Sequence, residues 1–293
     1  MSQQSDTEAE AAQPAGKDSP HLHEHERAQA AESAQLPARV IHEVLREEGE
    51  VELKRPVGAL IWSGLAAGLS MGFSFLTMAI LKKALAGQAF EEVISPLGYA
   101  IGFLIAVLGK QQLFTETTLT ATLPIMHQPT WTGLGRLLRM WAVVLIANLI
   151  GTFAFAWLVA RPGFVEPGVV QALKETAHGA FSESFGLGVL RAIFSGWLIA
   201  LMVWLLPSAK SAAPFVIAAL TYVVALAGFP HIIAGSTEAA YAVFTGEASW
   251  DDYGLSFLAP TLIGNLIGGT TLAALLNHAP VAHEFAARAA EGS

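Results

Sequence analysis

Polar and apolar positions sort this chain into a polar leader, an amphipathic segment and a series of long apolar runs. Residues 1–35 are rich in Ala, Gln, Glu, Ser and His and carry no apolar period, which predicts a disordered tail. From Leu36 to Leu53 the pattern changes. Val40, Ile41, Val44 and Leu45 recur at helical spacing, with Glu43, Arg46, Glu47 and Glu48 on other faces. This predicts a short amphipathic helix over 36–55, lying on a membrane or docked beneath a bundle and ended by Lys54-Arg55-Pro56. Beyond it the apolar runs define a channel-like region over 56–280, followed by a short tail over 281–293.

About 20 apolar residues are needed to cross the hydrocarbon core of a bilayer. The runs predict six crossings, at 57–81, 96–126, 131–159, 185–206, 214–244 and 255–276. Two of them are interrupted. The second contains Gly109-Lys-Gln-Gln-Leu-Phe-Thr-Glu-Thr-Thr-Leu-Thr120, and the fifth contains Leu226-Ala-Gly-Phe-Pro-His-Ile-Ile-Ala-Gly-Ser-Thr-Glu238. Unsatisfied polar groups in hydrocarbon cost several kcal/mol each, so such stretches survive only where protein or a water-filled cavity covers them. Both are therefore read as broken helices lining a pathway. Asn-Leu-Ile-Gly occurs at 148–151 and again at 265–268, an offset of 117 that also carries Phe114 onto His231. Two halves of three spans each must insert in opposite orientations, and such inverted repeats with half-helices near the midplane are a transport architecture.

Composition agrees with this pattern. Of 293 residues, 53% are hydrophobic and 14% charged, against about a quarter charged in soluble domains. A net charge of −8 argues against nucleic-acid binding. With no cysteine, disulfides, thiolate catalysis and cysteine metal sites are excluded. No cleavable leader precedes Val57, so the first span is expected to act as an uncleaved insertion signal. Basic residues near span ends (Lys54, Arg55, Arg136, Arg139 and Lys210 on one side, Lys82, Lys83, Arg161, Lys174 and Arg191 on the other) modestly favour cytoplasmic termini.

Few residues carry candidate chemistry. His231 is the one histidine of nine that lies well inside an apolar span, and an ionisable residue there is a functional candidate. It offers a hydrogen bond or an exchangeable proton to a passing oxyanion; the competing role is to bond backbone freed by Pro230 and Gly235. Glu116 and Glu238 sit beyond the two breaks. They either cap the first turn of a half-helix or set selectivity and gating, where ionised carboxylates would repel anions. Lys210, between spans four and five, either concentrates anions or snorkels to the interface. Lys110 either pairs with a nearby carboxylate or acts in selectivity. Asn148 and Asn265 are expected to tie the breaks down by hydrogen bonds. His21-Leu-His-Glu-His25 reads as part of a solvated tail, so no metal site and no cofactor is expected. No Gly-x-Ser-Gly, His-Glu-x-x-His or paired intramembrane aspartates are present, which argues against an intramembrane enzyme.

Several of these residues resemble the formate/nitrite transporter family over about 36–280. Leu113-Phe-Thr115 is similar to its motif in the broken second helix, and Gly228-Phe-Pro-His231 to its Gly-Phe-Glu-His motif in the fifth. Asn148-Leu-Ile-Gly151 and Gly264-Asn-Leu-Ile-Gly-Gly269 resemble its third and sixth helices, and Trp197-Leu-Ile-Ala-Leu-Met-Val-Trp204 its fourth. The Arg55-Pro56 junction and Trp62–Gly72 are most similar to the YfdC-like branch.

The resemblance implies an all-α membrane protein of six transmembrane helices, an aquaporin-like 3+3 inverted repeat with helices 2 and 5 broken. It also implies a pentamer with a pore in each protomer, in the bacterial inner membrane. Small anions or weak acids such as formate or nitrite are the implied solutes. His231 would be the central histidine, Phe114 a constriction residue, Thr115 its neighbour in the mobile segment, and Leu113 a further pore residue. The chain departs from the family pattern at Gln112 and Pro230, where glutamates are usual, at Ser195-Gly196, where Cys-Asn is usual, and at Glu116 and Glu238. Those departures keep two alternatives open: a channel for small neutral solutes, and a non-conducting sensor or structural protein.

Overall fold

The computed structural model describes residues 19–181, 184–275, 279 and 281. Among them all regular structure is helical. The tail expected to lack structure contains a helix, α1 (Glu24–Ser33). Ala28, Ala30 and Ala31 favour it, and the His23 N–H donates to Glu26 Oε2 at 2.7 Å, closing the first turn. Such local terms outweigh the absence of an apolar face. Residues 1–18 and 282–293, parts of the two expected tails, lie outside the described residues.

Helix α2 (Ala38–Leu53) buries Ile41, His42, Leu45, Gly49 and Leu53. Its Gly49 sits so close to Thr120 that a Cβ would lie 2.0 Å from the Thr120 carbonyl oxygen. Pro56 then starts α3 (Val57–Leu85), whose 29 residues reach about 43 Å at 1.5 Å per residue, enough to span a bilayer. After α4 (Glu91–Leu108), which includes a tighter 3₁₀ turn over Ser95–Tyr99, the chain is non-helical to Leu113. Short helices α5 (Phe114–Thr120) and α6 (Thr122–His127) follow, then α7 (Trp131–Val159). The polar connection that follows is not a plain loop. It forms α8 (Pro167–His178), fastened to the end of α3 by Lys82–Glu175 and Lys83–Glu166 ion pairs.

The second half repeats the plan with α9 (Phe185–Ala209), α10 (Ala213–Leu226), α11 (Ala234–Phe244) and α12 (Ala259–Leu266), the last flanked by wider π turns at Asp252–Leu258 and Ile267–Leu275. Among the described residues four stretches are long and apolar enough to cross a membrane: Val57–Leu85, Glu91–Leu108, Trp131–Val159 and Phe185–Leu226, the last being α9 and α10 with a turn at Lys210 between them.

Two helix pairs hold the core. Helix α3 packs on α7 so closely that a Cβ on Gly68 would lie 2.1 Å from the Asn148 carbonyl oxygen. Helix α9 packs on α12 in the same way, with a Cβ on Gly196 falling 2.4 Å from the Asn265 carbonyl oxygen. Without hydrophobic drive inside lipid, helices associate through close backbone approach of this kind. In both pairs an asparagine faces the seam, and that places its amide against a break in a neighbouring helix.

Candidate functional site

The two breaks are built alike. At the first, Gly109 N–H bonds Ile105 O, Lys110 N–H bonds Val107 O, and Gln111 N–H reaches back five residues to Ala106 O. At the second, Ala227 N–H bonds Val223 O, Gly228 N–H bonds Ala225 O, and Phe229 N–H bonds Val224 O. These are the closing bonds of a helix that ends in a left-handed residue. That residue is Lys110 (φ 51°) in the first half and Gly228 (φ 63°) in the second.

Asparagines then hold the non-helical strands that follow. Asn148 Oδ1 accepts from Phe114 N–H at 2.9 Å, and its Nδ2 donates to Gln112 O at 2.9 Å and Gly64 O at 2.7 Å. Asn265 Oδ1 accepts from Ile232 N–H at 2.8 Å, and its Nδ2 donates to Pro230 O at 3.2 Å, Ala192 O at 2.9 Å and Ser195 Oγ at 2.8 Å. Gln112 therefore matches Pro230 and Phe114 matches Ile232, an offset of 118. The expected pairing of Phe114 with His231 at 117 is corrected by one residue, because the spacing between break and asparagine differs between the halves. His231 matches Leu113.

The breaks meet at a buried contact: Thr115 Oγ1 lies 2.7 Å from His231 Nε2. The Ala234 N–H donates to His231 Nδ1 at 3.2 Å, so a neutral ring carries its proton on Nε2 and donates it to Thr115. The threonine hydroxyl proton then remains available for another acceptor. Phe103 packs edge-on against the imidazole with centroids 5.1 Å apart, and Leu113 and Phe114, which precede Thr115 in sequence, are buried, Phe114 against Trp141. Thr115 and His231 thus meet in a buried contact, with Phe103 against the imidazole.

A cavity lies towards each end of the molecule. One of about 720 Å³ borders Arg55, at the start of α3, and is lined by Glu52, Lys110, Gln112 and Glu116 among others. The other, about 90 Å³, borders Met78 near the far end of α3 and is lined by Tyr99, His231 and Glu238. Glu116 and Glu238 therefore face different cavities. Glu116 lies in the first turn of α5, as expected, but makes no capping bond and its Oε1 is buried without a hydrogen-bond partner among the described residues, while Glu238 lies in the second turn of α11, not the first. Lys110 makes no ion pair among the described residues, and Lys210 (φ 46°) lines neither cavity.

Sequence reasoning missed a polar hub under the first break. Glu52 Oε2 accepts from Thr120 Oγ1 at 2.6 Å and Oε1 from Gln112 Nε2 at 3.1 Å, while Arg55 donates to Gln112 Oε1. Burial pushes the Glu52 carboxyl above its ordinary value of 4.5, against the opposing pull of those hydrogen bonds. Helical spacing put Glu52 on an amphipathic helix but held no signal of what it would touch. The second break has its own helper. Ser195 Oγ donates to Pro230 O.

Comparison with known proteins agrees with this geometry. The family model described as formate/nitrite transporter matches residues 39–279. The inner membrane protein YfdC of Escherichia coli (strain K12) is 42% identical over 261 residues, covering 85% of this chain and 81% of that protein. Formate channel FocA of the same organism is 24% identical over 82% of this chain and 92% of its own length. Among solved structures, a pentameric formate channel with formate bound superposes with a TM-score of 0.64 at 17% identity, covering 75% of this chain and 95% of that one. An FNT family ion channel superposes at 0.66 and 18%, covering 81% and 96%. These structural likenesses speak for the fold. Together with the family match over 39–279 and the 42% identical relative, they place this chain in a family of channels and transporters, not enzymes: it belongs to the formate/nitrite transporter family.

Proposed function

We propose that the protein is a channel or transporter for small monovalent anions or their conjugate acids, formate and nitrite being the reference solutes, with one pore in each protomer. The observation that carries this reading is the buried Thr115–His231 contact, which joins the two breaks, His231 also lining the smaller cavity. A solute leaving water for that buried contact loses its hydration. Hydrogen bonds from the threonine hydroxyl, or proton exchange with the imidazole, offset part of that cost. A weak acid crosses most cheaply as the neutral form, since an unpaired charge pays heavily for desolvation.

The architecture that goes with this reading has six crossings, the second being α4 with α5 and α6, and the fifth being α10 with α11. Five protomers assemble in the bacterial inner membrane with both termini in the cytoplasm. The larger cavity, beneath α2, then opens inwards. Leu113 and Phe114 form the constriction, Thr115 and His231 meet the solute, and Asn148 and Asn265 keep the breaks in register. Glu116, Glu238 and Lys110 act on selectivity from the vestibules, with Lys210 at the inner rim. Glu116 and Glu238 favour a second reading, a pore for small neutral solutes, because a carboxylate at each mouth would disfavour anions.

Uptake of formate, nitrite and a neutral solute into proteoliposomes across pH, for wild type and His231→Ala, tests both. Formate or nitrite flux lost in the variant supports the first reading. Flux of the neutral solute alone supports the second, and unchanged flux of every solute removes His231 from the pathway.

A further inference from the structure

An inverted repeat gives each half a break of the same build, yet the cavities beside them differ, about 720 Å³ against about 90 Å³. At the rim of the smaller one stands α8. Its last residue is His178, and the next two, Gly179 and Ala180, line that cavity together with Gly228–His231 of the second break. Helix α8 packs on α3 of the first half and on α11 of the second. Its buried face is Val169, Ala172, Leu173 and Ala177, so half of it is methyl-sized and contributes little burial. Ion pairs add the rest of the fastening. Glu166 pairs with Lys83 at 2.6 Å and Glu175 with Lys82 at 3.3 Å, both on α3, while Lys174 pairs with Glu247 at 2.6 Å just beyond α11. Glu247 is a fixed post: its N–H donates to Ala242 O at 2.8 Å, behind the left-handed Gly246 (φ 79°) that follows α11. Two ion pairs therefore tie α8 to the first half and, among the described residues, one ties it to the second. The seam between α8 and α11 is the weaker.

We propose that α8 is a salt-sensitive lid over the smaller cavity, which stays with α3 and opens when the Lys174–Glu247 latch to the second half parts. Both latch side chains are partly exposed, so dissolved ions compete for them. Screening sets in beyond about 8 Å at about 0.15 M salt and beyond about 3 Å at about 1 M. Rising ionic strength therefore weakens all three pairs, and the side held by one gives first. The lid then moves with α3 away from Glu247, and the cavity that His231 lines gains an opening to solvent. The flanks of α8 permit this movement. Gly163 precedes it in the left-handed region (φ 78°) with nothing within 4 Å of an added Cβ, and Gly179 follows it. The lid stands apart from the choice of solute, which decides only what the opening admits.

Cysteine labelling tests the lid, since the chain has no native cysteine. Full-length Ala180→Cys in detergent micelles is labelled with a water-soluble maleimide at fixed pH, and its rate is divided by that of Val51→Cys, which is exposed on α2. Ala180 is buried, so the normalised rate is expected to be low at about 20 mM NaCl and about fivefold higher at about 1 M, the upper end for one exposed ion pair. Adding Lys174→Glu turns the latch into a repulsion and is expected to raise the low-salt rate about tenfold. Adding Glu247→Lys as well restores the pair with its charges exchanged and returns the rate to that of Ala180→Cys alone. Normalised rates that ignore salt, or a Lys174→Glu rate that the exchange does not restore, overturn the lid. In proteoliposomes, Lys174→Cys with Glu247→Cys, joined by a short reducible bis-thiosulfonate, is expected to lose most of its formate flux and regain it on reduction. Flux that the crosslink leaves unaltered overturns the lid as a gate. A wild type that passes no formate refutes the transport reading, and the labelling still decides the lid.

Discussion

Replacing Asn148 by alanine should cost more than replacing Asn265, although the two residues occupy matching places in the repeat. Among the described residues Asn148 is the one partner of two backbone groups, the Phe114 N–H and the Gln112 carbonyl. Its third contact, Gly64 O, is a carbonyl already inside helix α3. Asn265 likewise serves the Ile232 N–H and the Pro230 carbonyl, but Pro230 O also accepts from Ser195 Oγ. Alanine at 148 therefore strands two buried polar groups and alanine at 265 strands one. A buried group left without its partner costs about 1–3 kcal/mol, and interhelical hydrogen bonds in membranes fall at the low end. The expected losses are about 3 kcal/mol for Asn148→Ala and about 1.5 kcal/mol for Asn265→Ala. Reversible unfolding of the purified protein in mixed micelles, followed by tryptophan fluorescence, measures the difference. Adding Ser195→Ala to Asn265→Ala removes the reserve donor and should bring the loss close to that of Asn148→Ala, a non-additive result expected of neighbours. Equal single-variant losses, or a double variant no worse than Asn265→Ala, would refute the assignment of Ser195 as a second donor.

Two further predictions rest on different contacts. Gly68→Ala drives a methyl group into the Asn148 backbone and should cost at least about 1–3 kcal/mol, whereas Gly58→Ala, with nothing within 4 Å of the added carbon, should stay within about 1 kcal/mol of wild type; the same unfolding measurement separates them. Burial raises the Glu52 carboxyl, so the docked state of α2 prefers the neutral acid. Its contribution to docking is complete below the ordinary value of 4.5 and is lost as pH rises through the raised one. Spin labels at Val51→Cys and Trp131→Cys, both exposed in a chain with no native cysteine, should report a distance that broadens with rising pH in wild type and stays constant with Glu52→Gln. A pH-independent wild-type distance would contradict that sign.

The sequence by itself determined the apolar runs, the two polar interruptions and the candidate residues within them. Those follow from the cost of exposing polar backbone to lipid, which depends only on what is written along the chain. Asn148 and Asn265 were legible for the same reason: an amide inside an apolar span needs partners, and the breaks supply them. The register was not legible to the residue. A repeated Asn-Leu-Ile-Gly fixes the offset of its own helices at 117, whereas the breaks pair at 118, since the length between break and asparagine is free to differ by one without altering either motif. Glu116 and Glu238 looked like helix caps because both follow a break in sequence. Tertiary structure kept Glu116 in a first turn but set it on the wall of the larger cavity, and put Glu238 a turn further along, by a different cavity. Lys110 and Gly228 show the same division. Their backbone role is local and identical, but only the packing of α2 beneath the first break makes the cavity that Lys110 lines. Helical spacing likewise places Glu52 on a polar face, and only the approach of Gly49 to Thr120 decides that this face is buried. Periodicity records which residues share a face; what that face meets is settled by elements far away in the chain.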